Sequence, residues 1–111
     1  MQNPVKQPDD VLVIVVPSES LTAAYVEEFQ RSLDAQMEGK TKVVLDLHQV
    51  EFMDSAGCGA LLNCLKKLRA VGGSLAVCRI TSPVRALFEL IRMSRVLTSY
   101  PTEEEAIQAV A

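Results

Sequence analysis

Three short runs of almost continuously apolar residues constrain the fold of this chain most. They are VLVIVVP at 11–17, TKVVLDL at 41–47 and SLAVCRI at 74–80, and β-branched side chains are frequent in the first two. Continuous rather than alternating apolar character is typical of strands that are buried on both faces. The three runs therefore predict a mostly parallel sheet that is covered by helices.

The segments after these runs carry the three- and four-residue apolar spacing of amphipathic helices. The first predicted helix begins at Thr22, with Ser20 or Thr22 as its cap, and ends near Gly39. The other predicted helices run from about Ser55 to Ala70, from Ser82 as N-cap with Val84, Leu87, Phe88 and Ile91 facing inward, and over EEEAIQAV at 103–110 behind a Thr102 and Glu105 capping box.

Strands that alternate with helices over 111 residues predict one domain of the α/β class, residues 1–111. The expected architecture is a mixed, mostly parallel sheet of four to five strands packed against about four helices. RVLTSY at 95–100 supplies a short final strand, and residues 1–9 are expected to add a short edge strand or a flexible N-terminus.

Charge and composition exclude several classes of function. The net charge of −3 offers no cluster of basic residues for phosphate groups, so direct nucleic-acid binding is not expected. No apolar run reaches the roughly 18 residues that a membrane span needs, and the first ten residues do not resemble a signal peptide. We therefore expect a cytoplasmic protein without direct membrane contact.

The cysteines and the single histidine give no metal or catalytic pattern. Cys58, Cys64 and Cys78 lie in apolar patterns without metal-ligand spacing, so we expect buried, reduced thiols. His48 has no partner set for a catalytic triad and is interpreted as a turn residue between strand and helix. No cofactor and no metal site are predicted.

The segment FMDSAGCGALL at 52–62 interrupts the apolar pattern with polar and small residues. It joins a strand end to a helix start, where sites are commonly built in α/β sheets. Asp54 or Ser55 is expected to cap the helix, and Gly57 and Gly59 to let another backbone approach closely. Simple helix capping with close packing is an equally good explanation on these residues alone.

The stretch VVLDLHQVEFMDSAGCGALLNCLKKLRAVGGSLAVCRI at 43–80 resembles the STAS domain of bacterial anti-sigma factor antagonists. The family's signature is a buried strand, DL, a short turn, MDSSGLG or a close variant, and an amphipathic helix. SPVRALFELIRMSRVLTSYPTEEEAIQAV at 82–110 is similar to the family's next elements, so the resemblance covers roughly residues 11–111.

The resemblance implies regulation by partner switching. Such an antagonist binds an anti-sigma factor that is also a serine kinase, which frees a sigma factor, and the kinase inactivates it by phosphorylation. A PP2C-type phosphatase restores it. The family's acceptor lies in the two residues after the motif's Asp, here Ser55 and Ala56, so Ser55 is the expected acceptor. Because Ala56 lacks a hydroxyl, a non-phosphorylated scaffold or a transporter-associated STAS subunit is the alternative.

The resemblance also implies a partner-binding surface around the acceptor. Many relatives carry an acidic turn beside it, and PSESL at 17–21 takes that place here. The expected partner-binding residues are Ser18, Glu19, Ser20, Asp54, Ser55, Ala56, Gly57 and Gly59. Catalysis by Asp54 and Ser55 is not expected, because adjacent residues rarely direct their side chains at one another.

Overall fold

The three apolar runs form the centre of the sheet in the computed structural model, which describes residues 10–111. The elements of this part are β1 Val11–Val15, β2 Ser20–Leu21, α1 Val26–Met37, β3 Lys42–Asp46, β4 Phe52–Met53, α2 Ser55–Ala70, β5 Ser74–Cys78, α3 Ser82–Leu90, β6 Ser99–Tyr100 and α4 Glu103–Val110, with a 3-10 turn at Met93–Arg95. None of the helices within residues 10–111 is long and apolar enough to cross a membrane.

Four strands form one sheet in the order β1-β3-β5-β6, and each neighbouring pair is parallel. Strands β2 and β4 form a separate parallel ribbon of two residues each. The predicted α/β fold with a mostly parallel sheet and four helices is therefore confirmed. The suggested edge strand in residues 1–9 lies outside the described residues.

The two faces of the sheet are covered unequally. Helices α1, α2 and α3 pack on one face, where Leu33, Leu61 and Phe88 meet strand residues such as Leu45. Among the helices of residues 10–111, α4 alone covers the other face, through Ala106, Ile107 and Val110 against Val11, Val44, Ala76 and Cys78. Burial on both faces explains the continuous apolar runs in β1, β3 and β5.

The first helix starts later than its apolar spacing predicts. It begins at Val26, not Thr22, after a turn in which the Thr22 carbonyl accepts hydrogen bonds from the Tyr25 and Val26 N–H groups. Neither Ser20 nor Thr22 caps the helix, since Tyr25 occupies the N-cap without a side-chain bond. Ser20 instead lies in β2.

The third helix differs from the prediction in its N-cap and in the burial of Ile91. Its N-cap is Thr81, not Ser82, and the Thr81 hydroxyl donates to the Val50 carbonyl at 2.7 Å. Val84 and Phe88 are buried as predicted, but Ile91 is 45% exposed because the helix ends at Leu90.

Candidate functional site

Asp54 fixes the start of α2 at the carboxyl edge of the sheet. Its Oδ1 accepts from the Gly57 N–H at 3.0 Å, which makes Asp54 rather than Ser55 the N-cap. Its Oδ2 accepts from the Ala23 N–H at 3.1 Å, 31 residues away. The Gly57 and Ala23 N–H groups lower the pKa of Asp54. One carboxylate therefore joins the helix start to the turn before α1.

Ser55 is the first residue of α2 and is exposed, whereas Ala56 is half-buried. Among the bonds of residues 10–111, both Asp54 oxygens accept from backbone N–H groups of other residues. Asp54 is thus placed as a cap and not as a base for the Ser55 hydroxyl. Ser55 is therefore an exposed serine at the start of α2.

The β2–β4 ribbon brings the predicted turn at 17–21 beside the Ser55 segment. Ser20 pairs with Phe52, and the Glu19 carbonyl accepts from the Glu51 N–H at 2.8 Å and the Phe52 N–H at 3.1 Å. Ser18 holds its own turn through its hydroxyl, which donates to the Ser20 carbonyl at 2.7 Å. Residues 18–20 and 51–55 therefore form one continuous surface, called the acceptor rim below.

The two glycines of the motif lie in different surroundings. Gly57 is buried, and a Cβ there would collide with the Leu21 carbonyl oxygen and with the Met53 side chain. Gly59 is exposed, and a Cβ there would have no neighbour within 4 Å. The expected close approach of another backbone is therefore found at Gly57, but no backbone of the described chain approaches Gly59.

This difference predicts opposite effects for two matched substitutions. Gly57→Ala is expected to lower the free energy of unfolding by about 1 to 3 kcal/mol, because the ribbon must shift away from the helix. Gly59→Ala is expected to raise it by up to about 1 kcal/mol, since alanine favours the helix and meets open space. Urea unfolding of both variants measures this. Equal effects of the same sign would contradict the assignment of Gly57 as the contact glycine.

A cluster of charged side chains that the sequence did not predict lies at the same edge of the sheet. Asp46 is fully buried, and its Oδ1 accepts from the His48 backbone N–H at 3.0 Å and lies 2.9 Å from His48 Nδ1. Its Oδ2 accepts from Arg79 Nε at 2.9 Å and forms an ion pair with Arg79 Nη2 at 2.7 Å. His48 lies in a turn as predicted. The signal in the sequence is one acidic residue within the apolar run VVLDL.

Glu103 at the start of α4 completes this cluster. Burial raises the pKa of Asp46, but hydrogen bonds from Glu103, Arg79 and His48 outweigh it and lower that pKa to about 2. The hydrogen bond to Asp46, burial and the negative charge of Asp46 raise the pKa of Glu103. The cluster therefore ties the ends of β3 and β5 to the first turn of α4.

The three cysteines are free and buried, as predicted. Burial and the nearby Asp54 charge raise the pKa of Cys58 in the first turn of α2. Burial also raises the pKa of Cys64 to about 11 and of Cys78 to about 12. Protonated, enclosed thiols are poor nucleophiles, which fits a packing role.

The chain matches known proteins in both sequence and fold. The family model described as the STAS domain matches residues 3–106. The chain belongs to the STAS domain family. This STAS domain is 32% identical over 103 residues to BtrV of Bordetella bronchiseptica, which is named as a candidate anti-sigma factor antagonist, and the match covers 92% of this chain and 86% of BtrV.

Solved structures support the same assignment. The crystal structure of a candidate anti-sigma factor antagonist from Thermotoga maritima matches with a TM-score of 0.82 and 27% identity, over 96% of this STAS domain and 92% of that chain. The anti-sigma factor antagonist SpoIIAA of Bacillus, in its unphosphorylated form, matches with a TM-score of 0.74 and 26% identity, over 93% and 90% of the two chains. The fold and the family thus agree.

Proposed function

We propose that this STAS domain is a non-catalytic anti-sigma factor antagonist that is switched by phosphorylation of Ser55. It binds an anti-sigma factor with serine kinase activity in the cytoplasm and thereby frees a sigma factor. The kinase then transfers phosphate to Ser55, and a PP2C-type phosphatase removes it. The observation that carries this proposal is an exposed Ser55 hydroxyl beside an Asp54 that is already engaged in capping.

The proposed partner surface is the acceptor rim together with the exposed side of the first turns of α2. The residues on it that the sequence predicted as partner contacts are Ser18, Glu19, Ser20, Asp54, Ser55, Ala56, Gly57 and Gly59. Of these, Glu19, Ser55 and Gly59 are exposed and available for direct contact. Gly57 is buried against Leu21, so its contribution is to hold the rim in place and not to touch a partner.

Phosphorylation at the first position of the acceptor pair agrees with the local geometry. Ala56 has no hydroxyl and is half-buried. Ser55 is exposed at the start of the helix. BtrV and a relative from Thermotoga neapolitana, both matched over most of their length, are named for anti-sigma factor antagonism. A scaffold or a transporter-associated subunit would have the same fold, and it would need no accessible acceptor.

Phosphate transfer to Ser55 tests the proposal. Each anti-sigma-type serine kinase of the source genome is purified and incubated with the protein and ATP. With the cognate kinase, the mass of the protein is expected to rise by one phosphate, and peptide mapping is expected to place it on Ser55.

Two variants control this experiment. Ser55→Ala is expected to bind the kinase and to gain no phosphate, whereas Ser82→Ala, which removes an exposed serine at the start of another helix, is expected to be phosphorylated like the wild type. A kinase that binds the protein but leaves Ser55 unmodified would favour the scaffold alternative.

A further inference from the structure

Phe52 is a large apolar side chain that the fold leaves in solvent beside the acceptor. It is 62% exposed and lies three residues before Ser55 on the acceptor rim. The other large apolar side chains exposed within residues 10–111 are Val15, Val71, Leu90, Ile91 and Val96, and none of them is aromatic. An exposed aromatic ring can bury a large area when a partner covers it, and its place beside Ser55 makes Phe52 a candidate contact residue.

The β2–β4 ribbon determines which way this ring points. Side chains alternate along a strand, so Phe52 and Met53 of β4 face opposite sides. Met53 is directed toward Gly57 and packs on the main core, which leaves Phe52 outward. The Phe52 backbone is held by its N–H bond to the Glu19 carbonyl and by its pairing with Ser20. The ring is thus presented at a fixed position without being packed.

The charges around the ring indicate the chemistry of its partner. Glu19 is exposed and Glu51 is half-buried, and their backbones are joined by a hydrogen bond. Among the ion pairs within residues 10–111, neither carboxylate has a basic partner. Two carboxylates on the segments that carry the ring make this part of the rim acidic. An apolar ring in acidic surroundings is complementary to an apolar pocket that is bordered by lysine or arginine.

We propose that Phe52 is the apolar anchor by which this protein enters a pocket of the kinase that phosphorylates Ser55. This inference rests on the proposed function. Three residues of extended chain span at most about 10 Å, and a standard interface covers about 800 Å² on each partner. A kinase surface of this size that reaches the Ser55 hydroxyl is therefore large enough to extend over Phe52. Aromatic residues near the centre of such a contact commonly dominate its affinity.

The test compares Phe52→Ala with Leu90→Ala in binding to the same purified kinase from the source genome. Leu90 is 80% exposed at the end of α3, which runs back to the edge of the sheet opposite Ser55, so its removal deletes a similar apolar group away from the rim. Dissociation constants are measured by calorimetry with unphosphorylated protein. We expect Phe52→Ala to weaken binding about thirtyfold, Phe52→Leu to weaken it less, and Leu90→Ala to leave it unchanged.

The binding results distinguish a failure of the Phe52 anchor from a failure of the proposed function. If the wild type binds none of the kinases, the proposed function fails and the anchor fails with it. If the wild type binds and Phe52→Ala binds equally well, the anchor is wrong while the proposed function stands. Equal weakening by Phe52→Ala and Leu90→Ala would also overturn it. If Phe52→Ala melts at a lower temperature than the wild type, the test uses Phe52→Leu, provided that its melting temperature is unchanged. Kinase binding by Phe52→Leu as tight as that of the wild type would then overturn the anchor.

Discussion

Phosphate on Ser55 is expected to weaken kinase binding about a hundredfold or more, while the domain remains folded. The phosphoryl group adds about −1.5 to −2 charges at neutral pH. Asp54 already occupies the Gly57 N–H and lies next to Ser55, so the phosphate meets a carboxylate as well as the positive end of the helix. A partner that covers a neutral hydroxyl must bury this charge, which costs several kcal/mol, and about 2.7 kcal/mol already corresponds to a hundredfold.

Because Ser55 is exposed, solvent screens the same charge in the free domain, and the change in the free energy of unfolding is expected to stay within about 1 kcal/mol. The measurement is the melting temperature and the kinase dissociation constant of the unmodified protein, the phosphoprotein and Ser55→Ala. Ser55→Ala is expected to bind like the unmodified protein. A phosphoprotein that binds equally tightly, or that unfolds many degrees earlier, would rule out a charge-driven switch.

Removal of the Arg79 guanidinium is expected to destabilise the fold by about 3 kcal/mol, the lower end of the range for broken buried ion pairs. Arg79→Met keeps the apolar stem but leaves the fully buried Asp46 carboxylate with the His48 contacts and the Glu103 carboxyl. We place the effect at the lower end because the Arg79 side chain is 44% exposed.

Arg92→Met is the matched control for this variant. Arg92 shares the left-handed backbone of Arg79, with φ of 59° against 56°, but within residues 10–111 it has no ion pair. Its substitution is therefore expected to change the free energy of unfolding by less than about 0.5 kcal/mol. Urea unfolding of the two variants measures the same substitution at nearly the same φ, with and without the loss of an ion pair.

The effect of Arg79→Met on the free energy of unfolding is also expected to depend on pH. The pKa of Asp46 falls from 3.8 to about 2 on folding, so its stabilisation is complete above about pH 4 and is lost as the pH falls through 2. Glu103 lowers this pKa most and Arg79 lowers it next, so the part of the difference between wild type and Arg79→Met that depends on the Asp46 charge should shrink between pH 4 and pH 2. A constant difference across this range would show that Asp46 does not depend on Arg79.

Local patterns predicted the sheet and the central helix, because the interactions that define them are close in sequence. α2 runs from Ser55 to Ala70 as expected, with a cap three residues before its partner Gly57. The buried strands follow from continuous apolar runs that only a doubly covered sheet can bury. The predicted start of α1 was wrong. A hydrogen bond from the Ala23 N–H to the carboxylate of the distant Asp54 holds the preceding turn outside the helix.

The features that were not predicted depend on contacts between distant segments. A ribbon of two residues per strand has no periodicity to recognise, so the direction of Phe52 could not be derived from its neighbours in sequence. The pairing of Asp46 with Arg79 joins residues 33 positions apart through the parallel alignment of β3 and β5. The motif predicted Asp54 and Ser55, and the structure places the 17–21 turn beside them, while partner contact by these residues stays a proposal.

The unequal covering of the sheet has a consequence for partial unfolding. Within residues 10–111, one face of the sheet is held by three helices, whereas Val44 and Ala76 on the other face are covered by α4. If α4 detaches, Val44 and Ala76 lose this cover, and Asp46 loses the Glu103 contact. A domain with α4 detached therefore keeps one packed face and exposes an apolar strand surface on the other, to which chaperones or other unfolded chains can bind.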